Sequence, residues 1–177
     1  MPIHLIIDGY NFIRQSDALR GLDRQALEFG REALIERLAE YKRIKRHKVT
    51  LVFDGSAKYY FPDNQTSSKG VGIKFSRHGE SADSLIKKMA REEREKAVVV
   101  SSDKELVHFA AAQGAATIES GEFEAKLMMA ETMGPGESGD AEESVSNVSG
   151  RKKTKKRGPS SKLSKTQRRM RKKTGKL

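Results

Sequence analysis

The 177-residue sequence has no cysteine, no tryptophan and only four prolines. Without cysteine there is no disulfide framework and no thiolate metal site, which excludes zinc-finger and disulfide-scaffold classes and suits a reducing compartment. Aromatic residues make up only 6% of the chain, so one modest core is expected rather than several. Long apolar runs are missing too. The first, Ile3 to Ile7, is interrupted by His4 and closed by Asp8, too short for a membrane span or a signal peptide. A soluble, cytoplasmic protein with no membrane partner is expected. Neither G-x-x-x-x-G-K nor G-x-G-x-x-G follows that run, which argues against nucleotide hydrolysis of the phosphate-loop kind. The four histidines, His4, His47, His78 and His108, show no metal-ligand spacing.

Charge is present in quantity but unevenly placed. The net +11 divides into +1 over residues 1–133, −4 over 134–150 and +14 over 151–177. All the basicity therefore lies at the end of the chain. Residues 1–133 read as one α/β domain. Residues 134–150, rich in Gly, Ser and Glu with almost nothing apolar, read as a flexible acidic linker. Residues 151–177 read as a basic tail that cannot build a core and is expected to be disordered when free.

Within the first segment, short Ile/Val-rich runs alternate with stretches of helical period, the pattern of successive βα units. Strands are expected at Ile3–Ile7, Val49–Phe53, Val71–Phe75, Ala97–Val100 and Ala115–Ile118. Leu27, Leu34, Leu38 and Tyr41 predict one long helix from about Asp23 to Arg46, with one apolar side. Ala82, Leu85, Ile86, Met89 and Ala90 predict a second helix. Leu106, Val107, Ala110 and Ala111 predict a third, with Ser102 and Glu105 at capping-box spacing. A further helix is expected over Glu122–Glu131. Parallel strands joined by helices make a doubly wound sheet with helices on both faces.

In such a sheet, residues just past the carboxyl ends of the strands share one edge, where ligands bind. Asp8, Asp54 and Asp103 fall there, and Asp83 reaches it from the first turn of a helix. Glu80 is a supporting candidate on the far side of the same helix. Two unit charges about 5 Å apart at an effective dielectric of about 20 repel by roughly 3 kcal/mol. Protons or a hard divalent cation must neutralise them, and oxygen-only ligands favour Mg2+ or Mn2+. Hydrolysis of a phosphodiester is the natural chemistry of such a site. Each acid also has a plain structural reading: Asp8-Gly9 and Asp54-Gly55 as turns, Asp83 and Asp103 as complements to helix amino termini.

Ile6-Ile7-Asp8-Gly9-Tyr10-Asn11-Phe12-Ile13, Val52-Phe53-Asp54, Glu80-Ser81-Ala82-Asp83, Val100-Ser101-Ser102-Asp103 and Gln113-Gly114-Ala115 resemble, in order, the blocks of the YacP-like NYN-domain branch of the PIN-like nuclease superfamily. The resemblance covers the chain to about residue 130. It implies a PIN-like three-layer fold with a mainly parallel sheet and a divalent-metal-dependent endoribonuclease, with a ribosome-associated role for some members. By position, Asp8, Asp83 and Asp103 match the catalytic and metal-binding acids. Asn11 matches an Asn that orients the first acid or contacts phosphate, and Asp54 matches a family Asp of lesser role. Leu106 departs from the pattern, standing where a polar residue is expected.

The basic tail carries Arg151, Lys152, Lys153, Lys155, Lys156, Arg157, Arg168, Arg169, Arg171, Lys172 and Lys173 as RNA-binding candidates. Cations without acids bind phosphate by releasing counterions and carry little sequence preference. Neutralising about six phosphates would give a salt slope near −4 on single strands. Lys58, Tyr59, Tyr60 and Phe61, with Lys69 further on, could stack on unpaired bases or pack as an ordered loop. Three functions follow. The first is an endoribonuclease; the second is an RNA- or ribosome-binding module with a weak or inactive acidic site. The third, an aspartate-nucleophile phosphatase, lacks the second Asp, since Tyr10 stands there.

Overall fold

The computed structural model describes residues 3–55, 65–77, 79–133 and 165–177. The element order is β1 (His4–Asp8), α1 (Gly9–Gln15), α2 (Asp17–Gln25), α3 (Leu27–Lys45), β2 (Lys48–Phe53), β3 (Gln65–Ser68), β4 (Val71–Phe75), α4 (Ala82–Glu93), β5 (Ala97–Val100), α5 (Lys104–Ala112), β6 (Ala116–Ile118), α6 (Ser120–Met133) and α7 (Lys165–Thr174). The six strands form one sheet in the order β3-β4-β2-β1-β5-β6. All neighbours are parallel except β3 against β4.

The central strands are apolar along their whole length because both faces are covered. Alternation sends Leu5, Ile7, Val98 and Val100 into one core, closed by Leu34, Leu38 and Tyr41 of α3 and Phe123 and Leu127 of α6. Ile6, Val52 and Val99 point the other way, onto Ile86 and Met89 of α4 and Leu106 and Ala110 of α5. Helices therefore cover both faces, giving the three-layer α/β architecture. Gly9 lets α1 begin hard against the sheet, since a Cβ there would fall 2.2 Å from the Phe53 ring.

Four local features differ from the sequence-based expectation. The single long helix is two, α2 and α3, separated at Ala26 with φ −160° and ψ 136°. Leu27, the first residue of α3 directly after the break, is 44% exposed, while Leu34, Leu38 and Tyr41 further along the same helix are buried. Helix α1 and strand β3 were not anticipated. The latter, Gln-Thr-Ser-Ser, sits on the sheet edge, where no apolar face is needed. The cap of α5 is Asp103, not Ser102.

The linker residues 134–150, the tail residues 151–164, the loop with Lys58, Tyr59, Tyr60 and Phe61, and His78 lie outside the described residues. From Lys165 to Thr174 the chain forms α7, which packs on β6. It builds no core of its own. Instead Met170 packs against the existing core and Leu177 is buried in it, beside the Tyr41 hydroxyl, whose oxygen lies 3.5 Å from the Leu177 carbonyl. Two apolar residues in a basic run suffice when a ready surface receives them. Among the described residues no helix is long and apolar enough to cross a membrane.

Candidate active site

Every parallel strand of the sheet points its carboxyl end at one edge, and the predicted acids converge there. Asp8 is the last residue of β1 and the N-cap of α1; its Oδ1 accepts from the Asn11 backbone N–H at 3.3 Å. Its Oδ2 accepts from the Ser101 hydroxyl at 3.3 Å. Asp54 follows β2 and accepts from the Ala82 N–H at 2.7 Å, tying the start of α4 to the sheet edge. Asp103 follows β5, and its Oδ1 accepts from the Leu106 N–H at 3.0 Å. Asp83 lies in the first turn of α4. Three of the four acids engage a helix start by hydrogen bonds: Asp103, as the plain structural reading had it, and Asp8 and Asp54, where that reading had turns. Glu80 is half-buried in the turn ahead of α4, its N–H bonded to the Arg77 carbonyl.

The electrostatics distinguish these acids from ordinary caps. Burial pushes the Asp8 carboxyl up to about 6, and the negative charges of Asp83 and Asp54 add to the rise. The Asn11 N–H and Ser101 hydroxyl pull against it without prevailing. Asp83 is also raised, first by burial and then by Asp103, with Asp54 and Glu105 contributing against Lys87. Each acid therefore feels at least one other. Among the described residues none of Asp8, Asp54, Asp83 or Asp103 is in an ion pair. Lys87, the nearest cation acting on Asp83, is bonded to Glu105 at 2.5 Å.

Asn11 does more than the motif suggested. Its backbone holds Asp8, and its Oδ1 accepts from the Ser102 N–H at 2.9 Å and the Ser120 hydroxyl at 3.1 Å. One side chain thereby joins the ends of β1, β5 and β6. Ser101 is a residue to which sequence reasoning gave no role. Its hydroxyl touches Asp8 and accepts from the Asp103 N–H at 3.1 Å, fixing two of the acids relative to one another. A polar residue directly after an apolar strand was the available signal. Ser120, more than a hundred residues from Asn11, gave none. Leu106, where a polar residue was expected, is fully buried in the core, so its side chain contributes nothing to the edge.

As to metal, the donor set is all oxygen, which suits a hard cation. Among the described residues no three acidic or imidazole side chains are already gathered around one point. The acids share a field and an edge rather than a closed shell.

A mainly parallel sheet covered by helices on both faces, with carboxylates crowded at the carboxyl ends of its strands, makes a PIN-like α/β domain. Comparison with known proteins narrows the class. The model of the YacP-like NYN domain matches residues 5–174, and the chain belongs to that family. The match runs on through α7, so the family's span does not stop near residue 130 as the sequence blocks suggested. The chain is 33% identical over 87 residues to an uncharacterized protein, YacP, of Bacillus subtilis strain 168, an alignment covering 49% of this chain and 51% of that protein. The matched region thus spans about half the length of that relative. Two crystal structures of Rae1 (YacP) from Bacillus subtilis are similar. A point mutant has a TM-score of 0.64 at 27% identity, covering 74% of this chain and 78% of the other. The other form has 0.61 at 28%, covering 75% and 77%. NYN domains form a nuclease-like superfamily, which supports a nuclease in general.

Proposed function

We propose that the domain is a divalent-metal-dependent endoribonuclease that hydrolyses RNA phosphodiesters at the acid edge, with messenger RNA on the ribosome as a substrate context. The observation that carries this reading is the crowding of Asp8 and Asp83, both pushed up in pKa, with Asp54 and Asp103 close by and, among the described residues, no cation paired to any of them. Leaving carboxylates unpaired costs stability, and such a cost is concentrated at functional sites.

Asp8, Asp83 and Asp103 are the residues that would hold Mg2+ or Mn2+, which supplies charge neutralisation and a lowered pKa for water. The chain's own groups set the geometry. Asn11 and Ser101 fix the Asp8 carboxylate, and Ser101 with the α5 cap fixes Asp103. The Asn11 Nδ2 donors have no partner among the described residues, and we assign them to a phosphate oxygen. Hydrolysis at this edge leaves a 5′-phosphate and a 3′-hydroxyl. Asp54 and Glu80 support the site. The tail cations Arg151 to Arg157 and Arg168 to Lys173 bind the phosphate backbone in the same proposal.

A rival is favoured by one observation. Asp54 and Asp103 each commit an oxygen to a helix start, which leaves fewer free for a cation and suits an RNA- or ribosome-binding module with an inactive site. The two are separated by cleavage of single-stranded RNA, structured RNA and translating ribosomes with Mn2+ or Mg2+. The nuclease reading expects cleavage that is lost on chelation and in Asp8→Asn and Asp83→Asn, with RNA binding retained. Equal binding by all three proteins and no cleavage of any substrate would replace it with the binding module.

A further inference from the structure

The basic helix α7 is fixed at the opposite end of the sheet from the acids. Arg169 lies 3.8 Å from Glu95, just ahead of β5. The last residues reach Tyr41 and His47, just ahead of β2, through Leu177 and the Lys176 backbone. Those are the amino ends of strands whose carboxyl ends carry the acids. Strand β1 alone, four residue steps at about 3.3 Å each, separates the two ends by about 13 Å.

The docked helix buries its apolar residues and leaves its cations out. Leu177 is buried and Met170 half-buried, whereas Arg168, Arg169, Arg171, Lys172 and Lys176 are exposed. The helix from Lys165 to Thr174 has no acidic residue. Only Arg169 has an acidic partner among the described residues, and that contact is long and half-open to solvent. Surface pairs of that kind are worth little. What results is a cationic face held rigidly by an apolar anchor, without the anions that solvated surfaces normally intersperse.

We infer that α7 is a second, fixed RNA-binding platform that grips the phosphate backbone at a distance from the acid edge. This rests on the reading of RNA as the substrate. A tail free to reach the acid edge would help short and long RNAs alike. A platform at the far end helps only RNA that extends past the site: 13 Å is about four phosphate steps at the ~3.4 Å rise of a helical strand. The helix then sets affinity for long or structured RNA and leaves the chemical step alone.

The test is the triple variant Arg168→Glu, Arg171→Glu and Lys172→Glu in the full chain, with circular dichroism to confirm folding. For binding without divalent metal, a 30-nucleotide RNA should lose at least about tenfold in affinity, and the salt slope should fall by about two if three phosphate contacts are lost. Unchanged affinity and slope would overturn the platform, as would a loss seen instead for acidic protein or anionic vesicles. For cleavage, the variant should lower kcat/KM on the 30-nucleotide RNA with kcat unchanged and leave kcat/KM on a tetranucleotide within about twofold. An equal loss on both lengths would overturn the remote placement. Platform binding without any cleavage by the wild type, of these RNAs or of translating ribosomes, would sink the nuclease reading and leave the platform standing.

Discussion

The two ends of the sheet handle charge in opposite ways. At the amino ends, His4 is buried at 5% exposure, yet both ring nitrogens are satisfied: Nδ1 lies 2.6 Å from Glu93 and Nε2 lies 2.8 Å from the Thr50 hydroxyl. Burial holds the imidazole below its usual pKa, so the neutral form is favoured, with Nδ1–H donating to Glu93 and Nε2 accepting from Thr50. At the carboxyl ends, Asp8 is equally buried but is surrounded by more acids and meets only two 3.3 Å hydrogen bonds. The His4 cluster pairs its polar groups, whereas the acids at the other end are left in want of a positive charge. Under the proposed function, the first serves stability and the second chemistry.

The comparison can be broken at each end. The largest effect on stability is expected from Glu93→Ala, which leaves the His4 Nδ1–H buried without an acceptor and should cost about 1–3 kcal/mol in urea unfolding. Glu93→Ala with unchanged stability would show that the His4–Glu93–Thr50 cluster is not a structural unit. Next, Asp8→Asn should stabilise the metal-free protein at pH 7.5 by about 1–3 kcal/mol, because Asn still caps α1 while the ionisation penalty disappears. The folded Asp8 carboxyl, at about 6, lies above its ordinary value near 3.8. Its penalty is therefore absent below pH ~4 and complete above pH ~6, so the gain should vanish on acidification.

The smallest effect is the pH response of the amino end. With the folded His4 pKa depressed, its stabilisation is present above the unfolded value and lost as pH falls through the folded value. Wild type should lose stability below pH ~6.5, and a His4→Gln variant should show a shallower decline over that range. Parallel declines would remove His4 from the explanation.

Much of this contrast was readable in the residues. Five strands announced themselves as Ile/Val runs, and Asp8, Asp54 and Asp103 were visible because each ends such a run. The helix break at Ala26 was not readable, since neither glycine nor proline marks it. Strand β3 was hidden because an edge strand can be wholly polar. The role of Ser101 and Ser120 in positioning Asn11, Asp8 and Asp103 depends on pairings far apart in sequence, to which local pattern is blind. The docking of α7 turned on Met170 and Leu177, two apolar residues that composition averages away.

The central claim is that the unpaired acids, and not the paired charges at the other end, carry the chemistry. The most direct measurement is the cleavage rate of one RNA in Mn2+ by wild type, Asp83→Asn and Glu93→Gln, at a temperature where all three are folded. Asp83→Asn should lose at least about 100-fold, within the range expected for a group acting on the reacting atoms, while Glu93→Gln stays within about twofold. Equal rates for wild type and Asp83→Asn, or an equal loss in both variants, would contradict it.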